Sequence, residues 1–496
     1  MRGQRGRDVA LVAGAGLAML AILVAVRDGI TDDGYITLAY AKNLALHLHW
    51  GLIPQETANT ATSPLNVLLL GAITAVTRVS GDAHPVIALA VLSVGLAMVL
   101  AWGWLRIARA LELPFWSAVA GTALVIVDPF LLSSIGLEVL LIAALLIVMM
   151  AAAVEERPAL FGVVVGLALL ARLDMILFAL LIAAAAPALR ARWLRIASAA
   201  LLTCGPWFLL SWIALGSAIP DTLVIKLATR SGWGGWSYLT GPGMYAETWP
   251  AAAIVTFAPA ALGAVLLGWW IATRGWRSSP RLVVPAAVGV GGLVYYAVYS
   301  ALNLDPFHWY YVPPTVALTT FLVIGAGVLA ERAGPVAGRL RPGATAATLA
   351  LLFVVARLAV DVAHGLPWGD PLVSTNWATP GEYARVGSEL RARVRGATVA
   401  GPGEIGALAY FCDCPIVDEF SDRGRAAELI DDAIGPKSNL AKRWLLKLNY
   451  AWWDADEPRP VAYRLRYDLG PSPRRDSWQV STRWQGTGHL TLLRVR

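Results

Sequence analysis

The sequence predicts a polytopic α-helical membrane protein with about eleven transmembrane helices and a small C-terminal α/β domain. Of its 496 residues, 57% are hydrophobic and only 15% are charged, whereas a soluble protein carries about 25% charged residues. The mean hydropathy is +0.61. Long apolar runs recur through residues 1–362, while 363–496 is polar and rich in proline, glycine and charge. These observations exclude an ordinary soluble domain.

The apolar runs place the individual spans. A helix needs about 20 apolar residues to cross the hydrocarbon core of a bilayer. We therefore expect eleven spans, at about 9–27, 85–107, 115–132, 137–154, 159–172, 175–189, 196–215, 251–272, 282–301, 310–330 and 344–362. We expect the first to be a retained helix. The stretch 63–80 is apolar but short and begins Ser63-Pro64, which predicts a half-buried or interfacial helix.

Arginine clusters predict the orientation. They precede the first span or follow spans two, four, six, eight and ten, at residues 2–7, 106–109, 157, 190–195, 274–281 and 332–341. With eleven spans, every cluster lies on one side of the membrane, and the positive-inside rule makes that side the cytoplasm. We therefore expect a multi-pass protein of the cell membrane with a cytoplasmic N-terminus and an extracytoplasmic C-terminal domain.

Two domains follow from this reading. Residues 1–362 are the expected transmembrane domain, with outer loops at 28–62 and 216–250, and 363–496 is the extracytoplasmic α/β domain. Within the latter, 397–400 and 490–495 are typical of strands, and 382–394 and 424–434 are typical of helices. Three cysteines are too few for a disulfide scaffold, although Cys412 and Cys414 could form a tight bridge in an oxidising compartment.

Several function classes have no support in the sequence. The net charge of +7 comes from short arginine clusters between apolar runs, so we expect the lipid bilayer, and no nucleic acid, as a partner. No Walker loop, dinucleotide-binding fingerprint, zincin motif or nucleophile elbow is present. A nucleotide-driven cytoplasmic reaction therefore has no visible site.

The polar residues of interest gather at the predicted outer face. Asp32 and Asp33 directly follow the first span, where ionisable groups are costly unless they line a polar cavity. Two adjacent carboxylates suit proton abstraction or metal binding, although a solvated helix start is the plain alternative. Lys226 and Arg230 are one helical turn apart and could face the same anion, unless they snorkel to lipid headgroups. The cluster from His308 to Pro314 is typical of an interface belt and could also stack a sugar.

Read together, these stretches resemble the GT-C glycosyltransferases, and the actinobacterial cell-wall arabinofuranosyltransferases in particular. The opening DDGYITLAYAKNL at 32–44 resembles the family's DDAYIxxRYAxNL, and GSAIPDTL at 216–223 followed by Lys226 resembles FGSPLPNTxxxK. Shorter matches follow in order along the chain, at 62–65, 136–138, 172–174 and 406–418. The departures from the family pattern, such as Ala39 for its arginine and Asp174 for its glutamate, leave the sugar open.

The resemblance implies an inverting transferase that moves a sugar, expected to be arabinofuranose or mannose, from a polyprenyl-phosphate donor to a cell-envelope glycan or glycolipid acceptor. It implies that Asp33, or Asp32, is the catalytic base. Lys226, Arg230 and Arg172 would bind the donor phosphate. The expected substrate-binding residues are Tyr35, Lys42, Glu56, Glu138, Asp221, His308 and Tyr310. The carboxylates could accommodate Mg²⁺ or Mn²⁺, but no ligand spacing demands a metal.

Two other readings stay open. A non-enzymatic transporter of polyprenyl lipid or polysaccharide would explain the spans and the buried charge, but it predicts mid-membrane polar residues and internal repeats. A scaffold whose C-terminal domain binds cell-wall polymer would leave Asp32 and Asp33 dispensable.

Overall fold

In the computed structural model, which describes residues 2–78, 81–228, 233–332, 342–435, 439–454, 457–472 and 476–495, most of the chain is helical. Within that part, seven helices are long and apolar enough to cross a membrane. They are α1 (Arg2–Val26), α4 (Pro85–Ala110), α11 (Trp193–Ala214), α14 (Pro250–Ala272), α16 (Val283–Ala301), α17 (Val312–Arg332) and α18 (Pro342–Ala363). The predicted polytopic membrane fold is confirmed.

Four further predicted spans correspond to shorter apolar helices. The short helix predicted at 63–80 is also present. These are α3 (Pro64–Val76), α5 (Phe115–Ile126), α7 (Val139–Val154), α8 (Pro158–Ala171) and α9 (Ile176–Ala185), the last preceded by a 3₁₀ turn (Leu173–Met175). At 1.5 Å per residue the 16 residues of α7 reach about 24 Å. The turns that interrupt this region, at Asp128 and Arg172, shorten its helices relative to the predicted runs.

Short helices and turns connect the long ones. They are α2 (Asp32–His47), α6 (Pro129–Leu132), α10 (Pro187–Arg190), α12 (Thr222–Ala228), α13 (Gly241–Thr248), α15 (Gly275–Ser278) and the 3₁₀ turns Pro280–Leu282 and His308–Tyr311. The helix α2 begins with two carboxylates, which the positive end of a helix dipole stabilises. The first turn of α2 therefore accommodates two acidic side chains.

The C-terminal region forms a small α/β unit. Its helices are α19 (Pro380–Val394), α20 (Gly406–Cys412), α21 (Arg423–Ile434) and α22 (Leu440–Asn449). Its strands are β1 (Val399–Ala400), β2 (Ile416–Val417), β3 (Tyr463–Leu469), β4 (Ser477–Thr482) and β5 (Gly486–Arg494). Over the described residues the sheet order is β2-β1-β3-β5-β4, parallel around β1 and antiparallel from β3 onward. Cys412 and Cys414 form a disulfide at the end of α20.

The α/β unit packs directly on the outer loops of the helical part. The helix α20 lies against α2, and a Cβ at Gly406 would come 2.1 Å from the carbonyl oxygen of Asp32. Only glycine permits this approach. A second tie is the ion pair between Glu56 and Arg459, at 2.8 Å. These contacts enclose the space that holds the candidate site.

Candidate active site

A cavity of about 600 Å³ lies between the first outer loop, α12 and the α/β unit. Asp32, Asp33 and Glu138 of the helical part line it, together with Lys226 of α12. Residues of the α/β unit line it as well. Three of the predicted site carboxylates and the predicted lysine therefore meet at one place.

Asp32 is buried and bonded to the α/β unit. Its Oδ1 accepts a hydrogen bond from the backbone N–H of Ala407 at 2.8 Å, and its Oδ2 accepts one from Gly406 at 3.1 Å. The preceding residue, Thr31, is held in the same way, because its hydroxyl donates to Asn376 Oδ1 at 2.8 Å. Burial, followed by the neighbouring Asp33, raises the pKa of Asp32 to about 7, against the effect of the two N–H donors. These bonds fit Asp32 for positioning rather than for proton transfer.

Asp33 is half-buried and lines the same cavity. Adjacent residues of a helix point about 100° apart, so the two carboxylates of the pair differ in surroundings. Burial raises the pKa of Asp33, and the charge of Lys226 acts in the opposite direction. A carboxylate with a raised pKa, open to a cavity and near a cation, is suited to accept a proton.

Lys226 is held between aromatic rings. Its Nζ donates to the Tyr310 hydroxyl at 3.3 Å and lies 5.1 Å from the centroid of the Phe307 ring. Burial lowers the pKa of Lys226, but Tyr310 and Asp33 outweigh that effect, so the net pKa is raised. Lys226 therefore stays charged. Among the described residues that line the cavity, it is the only lysine or arginine.

The first outer loop positions α12, which carries Lys226. The Asn59 carbonyl oxygen accepts from the Asp221 N–H at 2.8 Å, and the Asn59 side chain donates to Ser217. The loop itself is tied to α2, because Tyr40 donates to the Ala58 carbonyl oxygen and Asn43 donates to those of Gly51 and Leu52. The motif residues Tyr40 and Asn43 thus organise the loop without entering the cavity.

Arg172 lies behind Glu138 and is not among the residues that line the cavity. Its guanidinium is paired with Glu138 Oε1 at 2.9 Å and with Asp174 Oδ2 at 2.6 Å, and it also donates to the Tyr299 hydroxyl. Two carboxylates already neutralise this cation. Arg172 therefore contacts Glu138, which does line the cavity, and its charge is paired within the protein.

The turn that carries Glu138 comes close to α2. A Cβ at Gly34 would lie 2.9 Å from the Ile135 carbonyl oxygen, so this contact also requires glycine. Gly136, one residue later, has a φ of +101°, which glycine adopts readily and which lets the chain turn there. The two glycines therefore let the Glu138 turn pack beside Asp33.

Six of the seven predicted substrate-binding residues do not line the cavity, and four of these six make contacts around it. Tyr35 packs on Tyr410 and Phe411 of α20. Lys42 pairs with Asp413 at 3.1 Å, and Glu56 pairs with Arg459. Asp221 is buried and accepts from the Ser217 hydroxyl at 2.7 Å, and burial raises its pKa to about 7. These residues join the outer loops and the α/β unit around the cavity.

The remaining predicted residues have different surroundings. His308 is fully buried, with Nε2 3.3 Å from the Ser133 carbonyl oxygen, and does not line the cavity. Tyr310 is not on the main cavity either, but it contacts Lys226 and borders a smaller adjoining space. Arg230 lies outside the described residues.

The α/β unit lines the cavity with residues that we did not predict as site residues, among them Trp377, Glu404, Asp418, Glu419 and Trp484. Burial, with Asp32 next, raises the pKa of Glu404 to about 8, against hydrogen bonds from Tyr383 and from the Trp377 N–H. Asp418 ends the family-like stretch 406–418, so the sequence motif could have indicated it. Trp377 and Trp484 have no local signal.

No group of three or more His, Cys, Asp or Glu side chains within the described ranges is placed to hold a metal ion. Asp33 and Glu138 line the same cavity. The arrangement as it stands provides one carboxylate for a proton, one fixed cation for an anion, and aromatic rings for an apolar or sugar surface.

Comparison with known proteins supports the fold. No protein-family model matches the sequence, and no curated protein is significantly similar to it. Among solved structures, the archaeal oligosaccharyltransferase AglB from Archaeoglobus fulgidus has a TM-score of 0.56 at 10% identity, covering 93% of this chain and 69% of AglB. ArnT from Cupriavidus metallidurans has a TM-score of 0.55 at 11% identity, covering 98% of both chains.

The arabinofuranosyltransferase AftD from Mycobacteria has a TM-score of 0.50 at 16% identity, and the match covers 98% of this chain but 40% of AftD. At such identities the shared property is the three-dimensional fold. The chain therefore has the membrane-embedded fold of the GT-C glycosyltransferases, as its sequence motifs predicted.

Proposed function

We propose that this protein is an inverting glycosyltransferase that moves a sugar from a polyprenyl-phosphate donor to a glycan or glycolipid of the cell envelope. The observation that carries the proposal is the meeting of Asp33 and Lys226 in one cavity at the edge of the helical part. A general base and a fixed cation are the two groups that such a displacement needs.

The donor site is assigned to Lys226. ArnT was solved with undecaprenyl phosphate and AglB with dolichol-phosphate, and both structures share this fold. A phosphate monoanion or dianion needs a cation in a partly buried site, and Lys226 supplies it. Tyr310 and Phe307 fix its ammonium. Arg230 is a further donor-phosphate candidate by its spacing from Lys226.

In the proposed transfer step, Asp33 and Lys226 account for the proton and for the charge of the leaving group. An acceptor hydroxyl oxygen attacks the anomeric carbon, the bond from that carbon to the phosphate oxygen breaks, and polyprenyl phosphate leaves with its electron pair. Asp33 takes the hydroxyl proton. Lys226 stabilises the negative charge that grows on the phosphate in the transition state. Attack opposite the leaving group inverts the anomeric centre.

The acceptor side is assigned to the α/β unit. Trp377 and Trp484 line the cavity there, and Glu404 and Glu419 offer hydrogen-bond partners to sugar hydroxyls. Aromatic rings with nearby carboxyl groups form a surface that suits a neutral saccharide. Within this proposal Glu138, which lines the cavity, binds substrate, and Arg172 orients Glu138. The sugar transferred is arabinofuranose or mannose, with the site on the extracytoplasmic side.

The decisive experiment is transfer by the full-length protein in nanodiscs, using synthetic polyprenyl-phosphate arabinofuranose, mannose, glucose and aminoarabinose. Wild type should release polyprenyl phosphate from one donor, and Asp33→Asn should lower that rate by about 10²–10⁴-fold. Glu428→Gln, an exposed carboxylate of α21, is the matched control and should change nothing. Equal rates for Asp33→Asn and wild type would reject Asp33 as the base. Binding of donor lipids without turnover of any would favour the transporter reading.

A further inference from the structure

The helix α22 presents an apolar face that no described residue covers. The exposed fractions of Leu440, Trp444, Leu445 and Leu448 are 74%, 63%, 58% and 46%. Trp452, just after the helix, is 60% exposed. We call these five residues the α22 face. A soluble surface rarely exposes so many large apolar side chains together, so the face is expected to meet something.

The distribution around the helix is that of an amphipathic segment. At 100° per residue, Leu440, Trp444, Leu448 and Leu445 fall within one arc of about 140°. The cations Lys442, Arg443 and Lys447 lie outside this arc, with Lys442 beyond one edge and Lys447 beyond the other. An apolar face with tryptophan, flanked by lysine and arginine, is typical of helices that lie in a membrane interface.

The opposite side of α22 is firmly attached to the protein. Leu446 packs on a cluster that includes Ile225 of α12, Ile430 of α21 and Tyr450. The Asn439 side chain caps the helix by accepting from the Lys442 N–H at 2.8 Å. The exposed face therefore belongs to a folded helix with a fixed orientation.

The α22 face also continues an exposed apolar surface on α11. The Trp212 indole, near the end of α11, donates to the Leu448 carbonyl oxygen at 2.9 Å and lies 6.5 Å from the Trp452 ring. On α11 itself, Leu209, Leu210 and Ile213 are 55%, 55% and 57% exposed. Because α11 is long and apolar enough to cross a membrane, we expect those side chains to face acyl chains. The α22 face adjoins them through Trp212 and Trp452.

We propose that α22 is an interfacial anchor that inserts Leu440, Trp444, Leu445 and Leu448 into the leaflet beside the end of α11. Lys442, Arg443 and Lys447 then meet the phosphates of the lipid headgroups. The proposal does not depend on the transfer reaction. If that reaction is as proposed, the contact of α22 with Ile225 also holds Lys226, the next residue, near the level of the lipid phosphates.

The test is the depth of spin labels on the full-length protein in nanodiscs of phosphatidylcholine and phosphatidylglycerol. Leu445→Cys and Trp444→Cys are labelled in a Cys204→Ala background, because Cys204 is the free cysteine of the described residues. Lys442→Cys, at an exposed position of the same helix outside the apolar arc, is the matched control. Both target side chains are exposed, so labelling should leave the fold intact.

Labels at 444 and 445 should be relaxed more by oxygen than by a water-soluble nickel chelate, at a depth of about 5–10 Å below the phosphates. The label at 442 should respond more to the chelate. Equal access of the chelate to 445 and 442 would overturn the proposal. Protection of 445 from both reagents, together with dipolar broadening between labels of two copies, would also overturn it by making the face a contact between copies.

Discussion

The carboxylate of Asp32 accepts a hydrogen bond from the backbone N–H of Ala407 at 2.8 Å, across 375 positions of sequence. Together with the bond from Gly406, it joins the start of α2 to the start of α20. The two elements that shape the cavity are thus fixed to each other by the side chain next to the proposed base. This relationship separates the roles of the two adjacent carboxylates.

The first prediction concerns the stability of that joint. Asp32→Asn replaces one acceptor oxygen with an NH₂ group, which cannot accept from Gly406 or Ala407. We expect the free energy of unfolding to fall by about 1–3 kcal/mol. Thermal unfolding in detergent would measure the loss, and hydrogen exchange should rise across 406–412. Asp33→Asn is the control and should leave both unchanged, so equal destabilisation by the two variants would count against the division of roles.

The second prediction concerns the pH dependence of transfer. Asp33 acts as a base only when ionised, and burial raises its pKa above the ordinary range while Lys226 lowers it. The value of kcat/KM should therefore fall as the pH drops through that raised pKa. Lys226→Met removes the opposing charge, so the acid limb of its residual activity should move to higher pH. A shift to lower pH would contradict the pairing.

The third prediction separates charge from geometry at the donor site. Lys226→Met should lower kcat by about 10²–10³-fold, the usual cost of losing one group that stabilises transition-state charge. Lys226→Arg keeps the charge and should retain more activity than Lys226→Met. Single-turnover transfer with excess enzyme would report the chemical step. If the arginine and methionine variants were equally slow, charge would not be the property that matters.

The fourth prediction concerns stability against pH. Glu404 has a folded pKa of about 8, raised first by burial and then by Asp32, and it is faced by Tyr383 and Tyr467. A raised carboxyl pKa means that the folded state favours the neutral form. The stabilisation is complete below the unfolded pKa, 4.5, and is lost as the pH rises through about 8.

Through Glu404, wild type should accordingly have a higher Tm at pH 5 than at pH 8. Glu404→Gln mimics the neutral form and should flatten this difference. Scanning calorimetry at both pH values would measure it, with Glu428→Gln as an exposed control. An unchanged difference in Glu404→Gln would show that other groups set the pH dependence.

The fifth prediction concerns the acceptor wall. Trp377 lines the cavity and stacks on Tyr467 with ring centroids 4.7 Å apart. Trp377→Ala should raise the KM for acceptor by about 5–10-fold, equivalent to about 1–1.4 kcal/mol, and leave the KM for donor unchanged. Trp377→Phe keeps a ring and should recover most of the affinity. An increase confined to the donor KM would move the acceptor elsewhere.

Much of the fold could be predicted from the sequence, because it depends on local properties. Apolar runs indicate membrane helices wherever they occur, and seven of the predicted spans appear as helices of spanning length in the described ranges. The predicted helices at 382–394 and 424–434 and the strand at 490–495 correspond to α19, α21 and β5. The order of short motifs was sufficient to indicate the GT-C fold.

Asp33 and Lys226 were both singled out from the sequence as well. Asp33 belongs to the motif at 32–44, and Lys226 follows the motif at 216–223. Both are charged residues beside apolar runs, which makes them easy to recognise in the sequence. Their placement in one cavity supports the proposed roles without testing them.

The other site residues depended on tertiary contacts. Arg172 has the charge that a phosphate requires, yet Glu138 and Asp174 neutralise it, and only the packing of three separate elements shows this. Trp377 and Glu404 reach the cavity because α20 docks on α2 through Gly406.

The sequence by itself therefore determined the class of fold, the acidic start of α2 and the lysine of α12, since each follows from the composition of a continuous stretch. Only the tertiary structure decided which of Asp32 and Asp33 is bonded and which is open, and which outer residues share the cavity. The physical reason is that hydrogen bonds and charge pairing between segments hundreds of residues apart set the environment of each side chain.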